Sequence, residues 1–310
     1  MKLAFIGDVH LDDKTPGTRS DDYCLTVIKK LDWIFNWCLN NDVDKIILLG
    51  DLFHRREVGG RARNLCLRVF KKYYNKPGFP PVIATVGNHD TGNDLNNLKR
   101  TTLWTLVIGG YIKTMEYDPD SKVAFLHHHV HVDEEIKNNG LHHDEALIWS
   151  SHASIYTSAY KYAVDFHALD ITGPCQLVVT GHVHATYSCK RRDGKMLINP
   201  GHIGRNAFLA QTPKHPIQFL VVEHDGSKIL STEYIPIEIA KNYEEVFNLE
   251  KINTQKNIRK KVKSLVAQGI SGTLEGFSVD AIMKLAKQQI KSKSVLELIY
   301  KYLGAAHDRS

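Results

Sequence analysis

The chain has no apolar run near the roughly 20 residues that span a bilayer. It also lacks a signal-peptide pattern, because the short apolar stretch after Lys2 is cut by Asp8. Together these absences lead to the expectation of a cytoplasmic protein without membrane contact. Cysteine is scarce and unpaired. The five present (Cys24, Cys38, Cys66, Cys175 and Cys189) are odd in number, widely spaced and without a CxxC pair. That excludes a disulfide scaffold and a zinc quartet. Cys24, Cys38 and Cys66 lie among apolar residues in helix-like segments and read as buried reduced thiols. No internal repeat or low-complexity stretch is evident, so a solenoid is excluded as well.

What the chain does have is an ordinary globular balance, 43% hydrophobic and 24% charged over 310 residues. That is enough for one large domain with an appendage. The net charge of +6 is uneven. Ten Lys or Arg face only two acids, Glu275 and Asp280, between Lys251 and Lys293, so the rest of the chain is slightly acidic. This C-terminal basicity suits an anionic partner, although a solvated helix face explains the charge equally well.

The first third alternates two periods. Lys2 to Ile6, Asp44 to Leu49 and Val82 to Val86 are short apolar runs that read as strands. Tyr23 to Leu39 and Arg63 to Tyr74 carry apolar residues at helical spacing. This β-α-β-α-β order predicts parallel strands covered by helices. Further on, Val123 to Leu126, Leu177 to Thr180, Met196 to Ile198, Phe219 to Val222 and Ile229 to Tyr234 are strand candidates separated by turns such as Asp225-Gly226. They imply a second sheet packed on the first, an α/β class fold with four layers (α/β/β/α) over residues 1–236. Residues 237–310 carry three apolar stripes, beginning at Ile258, Val279 and Val295, and read as a basic helical appendage.

The chemistry sits where strands give way to loops. In order come Gly7-Asp8-Val9-His10, Gly50-Asp51-Leu52-Phe53-His54, Gly87-Asn88-His89-Asp90, Leu126-His127-His128-His129 and Gly181-His182-Val183-His184. Asp8 and His10, like His182 and His184, are two apart, which in extended backbone points both side chains one way. Five such stretches in one chain describe a site for two divalent ions. Hard oxygens mixed with imidazoles suit Mn²⁺ first, with Fe, Zn²⁺ or Mg²⁺ as alternatives. Two ions about 3.5–4 Å apart activate water and clamp phosphate oxygens.

This series resembles the calcineurin-like metallophosphoesterase superfamily, over roughly residues 1 to 235. The resemblance implies that Asp8, His10 and His184 hold one metal, that Asn88, His127 and His182 hold the other, and that Asp51 bridges them. His127 is chosen as the first His after its strand, with His129 on the same face as the alternative. His89 would be the catalytic general acid or charge stabiliser. Asp90 either orients His89 or caps a helix. His54 is assigned a contact with substrate or a place behind the ligands. His142, His143 and His152 are read as lying in a polar loop, with one of them reaching the site.

Within the superfamily, Asp8-Val9-His10-Leu11 with Arg19 and Asp22, followed by Gly50-Asp51-Leu52-Phe53, is most similar to SbcD-type nucleases of DNA repair and recombination, including phage versions. Asn199-Pro200-Gly201-His202-Ile203-Gly204-Arg205 resembles their PGS-x-x-R loop, with His202 in place of Ser. Arg205 would then hold a substrate phosphate. The resemblance implies DNA as substrate and an SMC-like ATPase as partner, docked on the C-terminal helices. Those stripes pack equally well on the body of the same chain, and a homodimer is left open. The competing reading is a small-molecule or cyclic-nucleotide phosphodiesterase, or a protein phosphatase. Asp51 does not lead into GD-x-x-DRG, and no Pro-Pro follows His127 to His131.

Overall fold

A computed structural model describes residues 1–92, 94–128, 145–156, 166–167, 174–191, 193–207, 216–254 and 256–257. The chain divides into two compact units, Met1–Val246 and Phe247–Ser310. The second unit is described only through 247–254 and 256–257, so the three apolar stripes lie outside the described residues.

The first unit opens with β1 (Lys2–Ile6), α1 (Tyr23–Asn40), β2 (Lys45–Leu48), α2 (Gly60–Tyr74) and β3 (Val82–Ala84). The parallel register pairs Ala4 with Ile46 and Ile47 with Ile83. Helix α1 begins where the Asp22 side chain accepts from the Leu25 amide at 3.1 Å, an N-cap that satisfies one orphan donor. Helix α2 begins at Gly59, which has no side chain to offer. Asp13 from the loop after β1 supplies the acceptor instead, bonding the Ala62 amide at 2.7 Å.

The chain continues through α3 (Asn88–Thr91), a 3-10 turn at Leu95–Arg100 and α4 (Thr102–Ile108). Strands β4 (Tyr117–Asp118), β5 (Val123–Leu126), β6 (Ile148–Ser151), β7 (Ile155–Tyr156), β8 (Phe166–His167), β9 (Leu177–Thr180), β10 (Tyr187–Lys190) and β11 (Met196–Asn199) follow. The series ends with β12 (Gln218–His224) and β13 (Ile229–Pro236). The second sheet runs β10-β11-β9-β6-β5-β4, and among the described residues β7 pairs with β8.

Strands β12 and β13 correct the expectation that all later strands build the second sheet. They return to the first, giving the order β13-β12-β1-β2-β3, with β12 antiparallel to β1. The alternation of β12 explains this. Phe219 and Val221 join the core under the helices, while Leu220 and Val222 join the core between the sheets. A strand apolar on both faces fits inside a covered sheet.

Three cores define the layers. One lies between the first sheet and α1/α2, including Val27, Leu31, Phe35, Phe70 and Ile46. The middle core joins the sheets through Phe5, Ile47, Phe125, Ile148 and Val179. The third covers the far face of the second sheet, with Trp149, Val178 and Leu197. The protein is thus an α/β sandwich of two mixed sheets with flanking helices. The fourth layer expected from the sequence, on the far face of the second sheet, would fall on residues outside those described. Cys24, Cys38 and Cys66 are buried in the first core. No helix among the described residues is long and apolar enough to cross a membrane.

Candidate metal centre

The parallel strands of both sheets end at the same edge, where side chains from different loops meet. Strand β1 leads to Asp8 and His10, β2 to Asp51, and β3 to Asn88. From the second sheet, β6 leads to His152 and β9 to His182 and His184. The loops after β1 and β2 are joined by backbone bonds. The His10 amide donates to the Asp51 carbonyl (2.8 Å), Leu11 to Leu52 (3.0 Å) and His54 to Leu11 (3.0 Å). Tyr23 closes the turn from behind by donating to the His10 carbonyl at 2.8 Å.

The turns are tight enough that three non-glycine residues take left-handed φ: His10 (48°), Asp51 (51°) and His182 (70°). Such backbone is costly and is held here by the loops around it. Gly50 (φ 94°) carries a further demand, since a Cβ there would run into the His152 ring. Gly87 is confined in the same way by the Asp51 carboxylate.

Two donor sets converge. In the first, His10 Nε2 stands 2.8 Å from His184 Nε2, 3.9 Å from Asp8 and 3.6 Å from Asp51. In the second, His152 Nε2 lies 3.3 Å from Asp51 and 3.1 Å from Asn88 Oδ1. His182 Nδ1 is also 3.1 Å from that oxygen. The same Asp51 carboxylate oxygen, Oδ2, faces both sets. Asp8 also accepts from the His182 amide at 3.0 Å, tying the sheets together.

His152 stands in the second set, where the sequence leads one to expect His127. His127 Nδ1 accepts from the Val86 amide (3.0 Å), which turns its ring to the end of β3. The sheet order gives the reason. β9, which carries His182, neighbours β6, whereas β5, which carries His127, lies one strand further out. That added displacement is about 4.8 Å. His129, the alternative, lies outside the described residues, as do His142 and His143. His152, expected in a polar loop as one of three histidines of which one reaches the site, instead follows β6: the run Leu147-Ile148-Trp149-Ser150-Ser151 ends in His, and both serines are buried, Ser150 against the Thr85 hydroxyl at 2.6 Å.

The remaining predicted residues fall around this group. The His89 amide donates to Asp51 (2.9 Å), and its ring Nδ1 bonds the His54 carbonyl (2.6 Å). The His54 and His89 rings stack at 5.0 Å, and His54 Nδ1 is 3.4 Å from His10 Nδ1. Asp90 braces loops, accepting from the Phe53 and Gly87 amides at 3.1 Å each. Arg205, expected to hold a substrate phosphate, is buried, and its guanidinium donates to the Lys241 carbonyl (3.1 Å). His202 bonds the His184 carbonyl at 2.7 Å, so the loop that carries Arg205 supports the site from behind.

The electrostatics favour a cation. Burial, together with nearby Asp51, pushes Asp8 and Asp90 each to about 7. Burial would raise Asp51 too, but His152, His10 and His89 hold it well below the usual carboxylate range. Burial alone would lower His152, which Asp51 and Asp8 instead raise to about 9. Burial pushes His184 down to about 4 and His10 well below its ordinary value. Three buried carboxylates and several buried imidazole lone pairs therefore crowd one place with little cationic charge to share. His152 Nδ1 is committed to the Leu49 carbonyl at 2.7 Å, so Nε2 is presented to the group, as a metal-binding imidazole requires. The donor set fits divalent ions, and Asp8/His10/His184 and Asp51/His152/His182 each have ligand atoms within 4.8 Å of one another.

The sandwich and its edge of carboxylates, amide and imidazoles define a metal-dependent phosphoesterase. The family model of the calcineurin-like phosphoesterases matches residues 1–186, and the chain belongs to that family. Among solved structures it is similar to GAP50, the anchor in the inner membrane complex of Plasmodium, at 15% identity and TM-score 0.47, over 78% of this chain and 86% of that one. It is also similar to a dimetal phosphatase from Danio rerio at 13% identity and TM-score 0.44, over 77% of this chain and 99% of that one. No curated protein sequence matches.

Proposed function

We propose that this protein is a two-metal phosphodiesterase that cleaves DNA, an exo- or endonuclease of recombination or repair. The observation that carries the hydrolytic part is the single Asp51 carboxylate oxygen facing two separate donor sets. Asp8, His10, His184 and Asp51 would hold one divalent ion, and Asp51, Asn88, His152 and His182 the other, with Mn²⁺ the first choice. When bound, such a pair polarises phosphoryl oxygens and brings water to nucleophilic strength near neutral pH. His89 then has a defined task. With Nδ1 donating to the His54 carbonyl, His89 would act as the imidazolium, whose second N–H, on Nε2, gives its proton to the departing oxygen and leaves the neutral ring still bonded to His54. Tyr23 and Asp90 act earlier, by fixing the loops that carry His10, Asp51 and Asn88.

The DNA assignment draws on the SbcD-like motifs and on the basic charge of the C-terminal segment. That segment would dock DNA or an SMC-like ATPase partner. The test is cleavage of labelled single- and double-stranded DNA with Mn²⁺, set against bis-p-nitrophenyl phosphate and cyclic nucleotides. DNA cleavage is expected. Turnover of the small esters alone, in every divalent metal tried, would sink the nuclease assignment.

A further inference from the structure

One rim of the metal centre is built from cations that neither donor set uses. The segment His54-Arg55-Arg56 wraps the turn that carries Asn88 and His89. The His54 carbonyl receives the His89 ring, and a Cβ at Gly92, which ends α3, would lie 3.9 Å from the Arg56 side chain. Arg55 is anchored to the buried carboxylate of Asp12, two residues beyond His10, while about 42% of its side chain stays exposed. The Thr102 amide donates to the Arg56 carbonyl at 2.9 Å, which brings exposed Arg100 and Lys99 to the same rim. Among the described residues, the acids paired with these groups by a direct ion bridge are Asp12 and Glu57, the latter 3.2 Å from Arg56. Four cations against two acids leave this rim positive beside His54 and His89.

A small ester has one phosphate, and the metal centre accounts for it. A positive rim next to such a centre has use only for a substrate with further phosphates in line. We propose that Arg55, Arg56 and Arg100 form a subsite for a backbone phosphate neighbouring the scissile one, so that this rim selects a nucleic-acid strand over small phosphodiesters. Arg55 supplies a held guanidinium, since Asp12 fixes its direction. Arg56, paired only with its exposed neighbour Glu57 among the described residues, and exposed Arg100 can follow the strand, which suits contacts that do not read sequence. This inference rests on the nuclease reading and names the residues that would enforce it.

The experiment compares kcat/KM for a labelled oligonucleotide with kcat/KM for bis-p-nitrophenyl phosphate, in Mn²⁺, for wild type, Arg56→Gln/Arg100→Gln and Arg56→Lys/Arg100→Lys. The Gln pair should lower the oligonucleotide-to-small-ester ratio roughly tenfold and make the dependence of log KM on log salt shallower by about one to two. The Lys pair should restore most of the salt slope. An unchanged ratio in the Gln pair overturns the subsite, as does an equal loss on both substrates with the salt slope intact. A wild type that turns over neither ester fails the hydrolase reading instead. A wild type active on the small ester alone fails the nuclease reading and, with it, the subsite.

Discussion

The two sheets contribute to the metal centre in different ways. The first sheet supplies the oxygen donors, Asp8, Asp51 and Asn88, together with the His10 imidazole, from three loops joined by backbone bonds and braced by Asp90 and Tyr23. The second supplies the imidazoles His152, His182 and His184 from strand ends, oriented through single contacts such as His152 to the Leu49 carbonyl and His202 to the His184 carbonyl. The carboxylates therefore all lie on one side, while the other side offers imidazoles alone. The centre exists only when the middle core, with Phe5, Ile47, Ile148 and Val179, holds the sheets in register. Losing Asp51 should affect both ions, whereas losing Asp8, Asn88 or an imidazole should affect one.

Asp51 is the sharpest place to break that contrast. Asp51→Asn keeps the shape and two hydrogen-bonding atoms but removes the charge shared by both donor sets. We expect both metal equivalents to weaken by at least about a hundredfold, and turnover to fall below detection. Metal analysis after dialysis reads this directly. One equivalent retained at wild-type affinity would show that Asp51 serves a single site.

His152 and His127 test the other side. His152→Ala should lose one equivalent and about 10²- to 10⁴-fold in kcat. His127→Ala should keep two equivalents, because its ring is engaged with the Val86 amide. The reverse pattern would restore His127 as ligand. The same pair shows what could be read from the residues alone. Asp8/His10 and His182/His184 announce themselves by spacing within one strand end, and Asp51 and Asn88 by the glycine before each. His152 has neither device, since its membership depends on β6 lying beside β9, a pairing that no local pattern encodes. The return of β12 to the first sheet escaped notice for the same reason. Arg205 differs again: its motif is legible, but the direction of a long side chain is set by packing, and here one guanidinium nitrogen bonds the Lys241 carbonyl.

Gly50 links the two sides sterically. Gly50→Ala places a methyl group against the His152 ring at a backbone φ of 94° that L-residues rarely adopt. The expected cost is about 1–3 kcal/mol of stability, a Tm loss that calorimetry would resolve, together with weaker binding of the ion that His152 serves. A Tm loss with both ions bound at wild-type affinity would mean that the ring moves aside without consequence.

The smallest effect should come from a residue of the first sheet's supporting layer that touches neither donor set. Asp22 caps α1 through the Leu25 amide and pairs with Arg61 at the surface. Asp22→Ala should cost about 1 kcal/mol, or roughly 2–4 °C in Tm for a unit of this size, and leave metal stoichiometry at two. The hydrogen bond from Arg61, with the Leu25 amide, holds the Asp22 carboxyl below its ordinary 3.8. A depressed carboxyl stabilises the fold above its unfolded pKa and loses that contribution as pH falls through the folded value. The Tm gap between wild type and Asp22→Ala should therefore be full at pH 7 and narrow as the pH drops below about 4. Asp22→Asn, which keeps an acceptor for Leu25 without the charge, should lie between them at pH 7 and show no such narrowing. A gap that stays constant down to acid pH would assign the whole effect to the cap and none to Arg61.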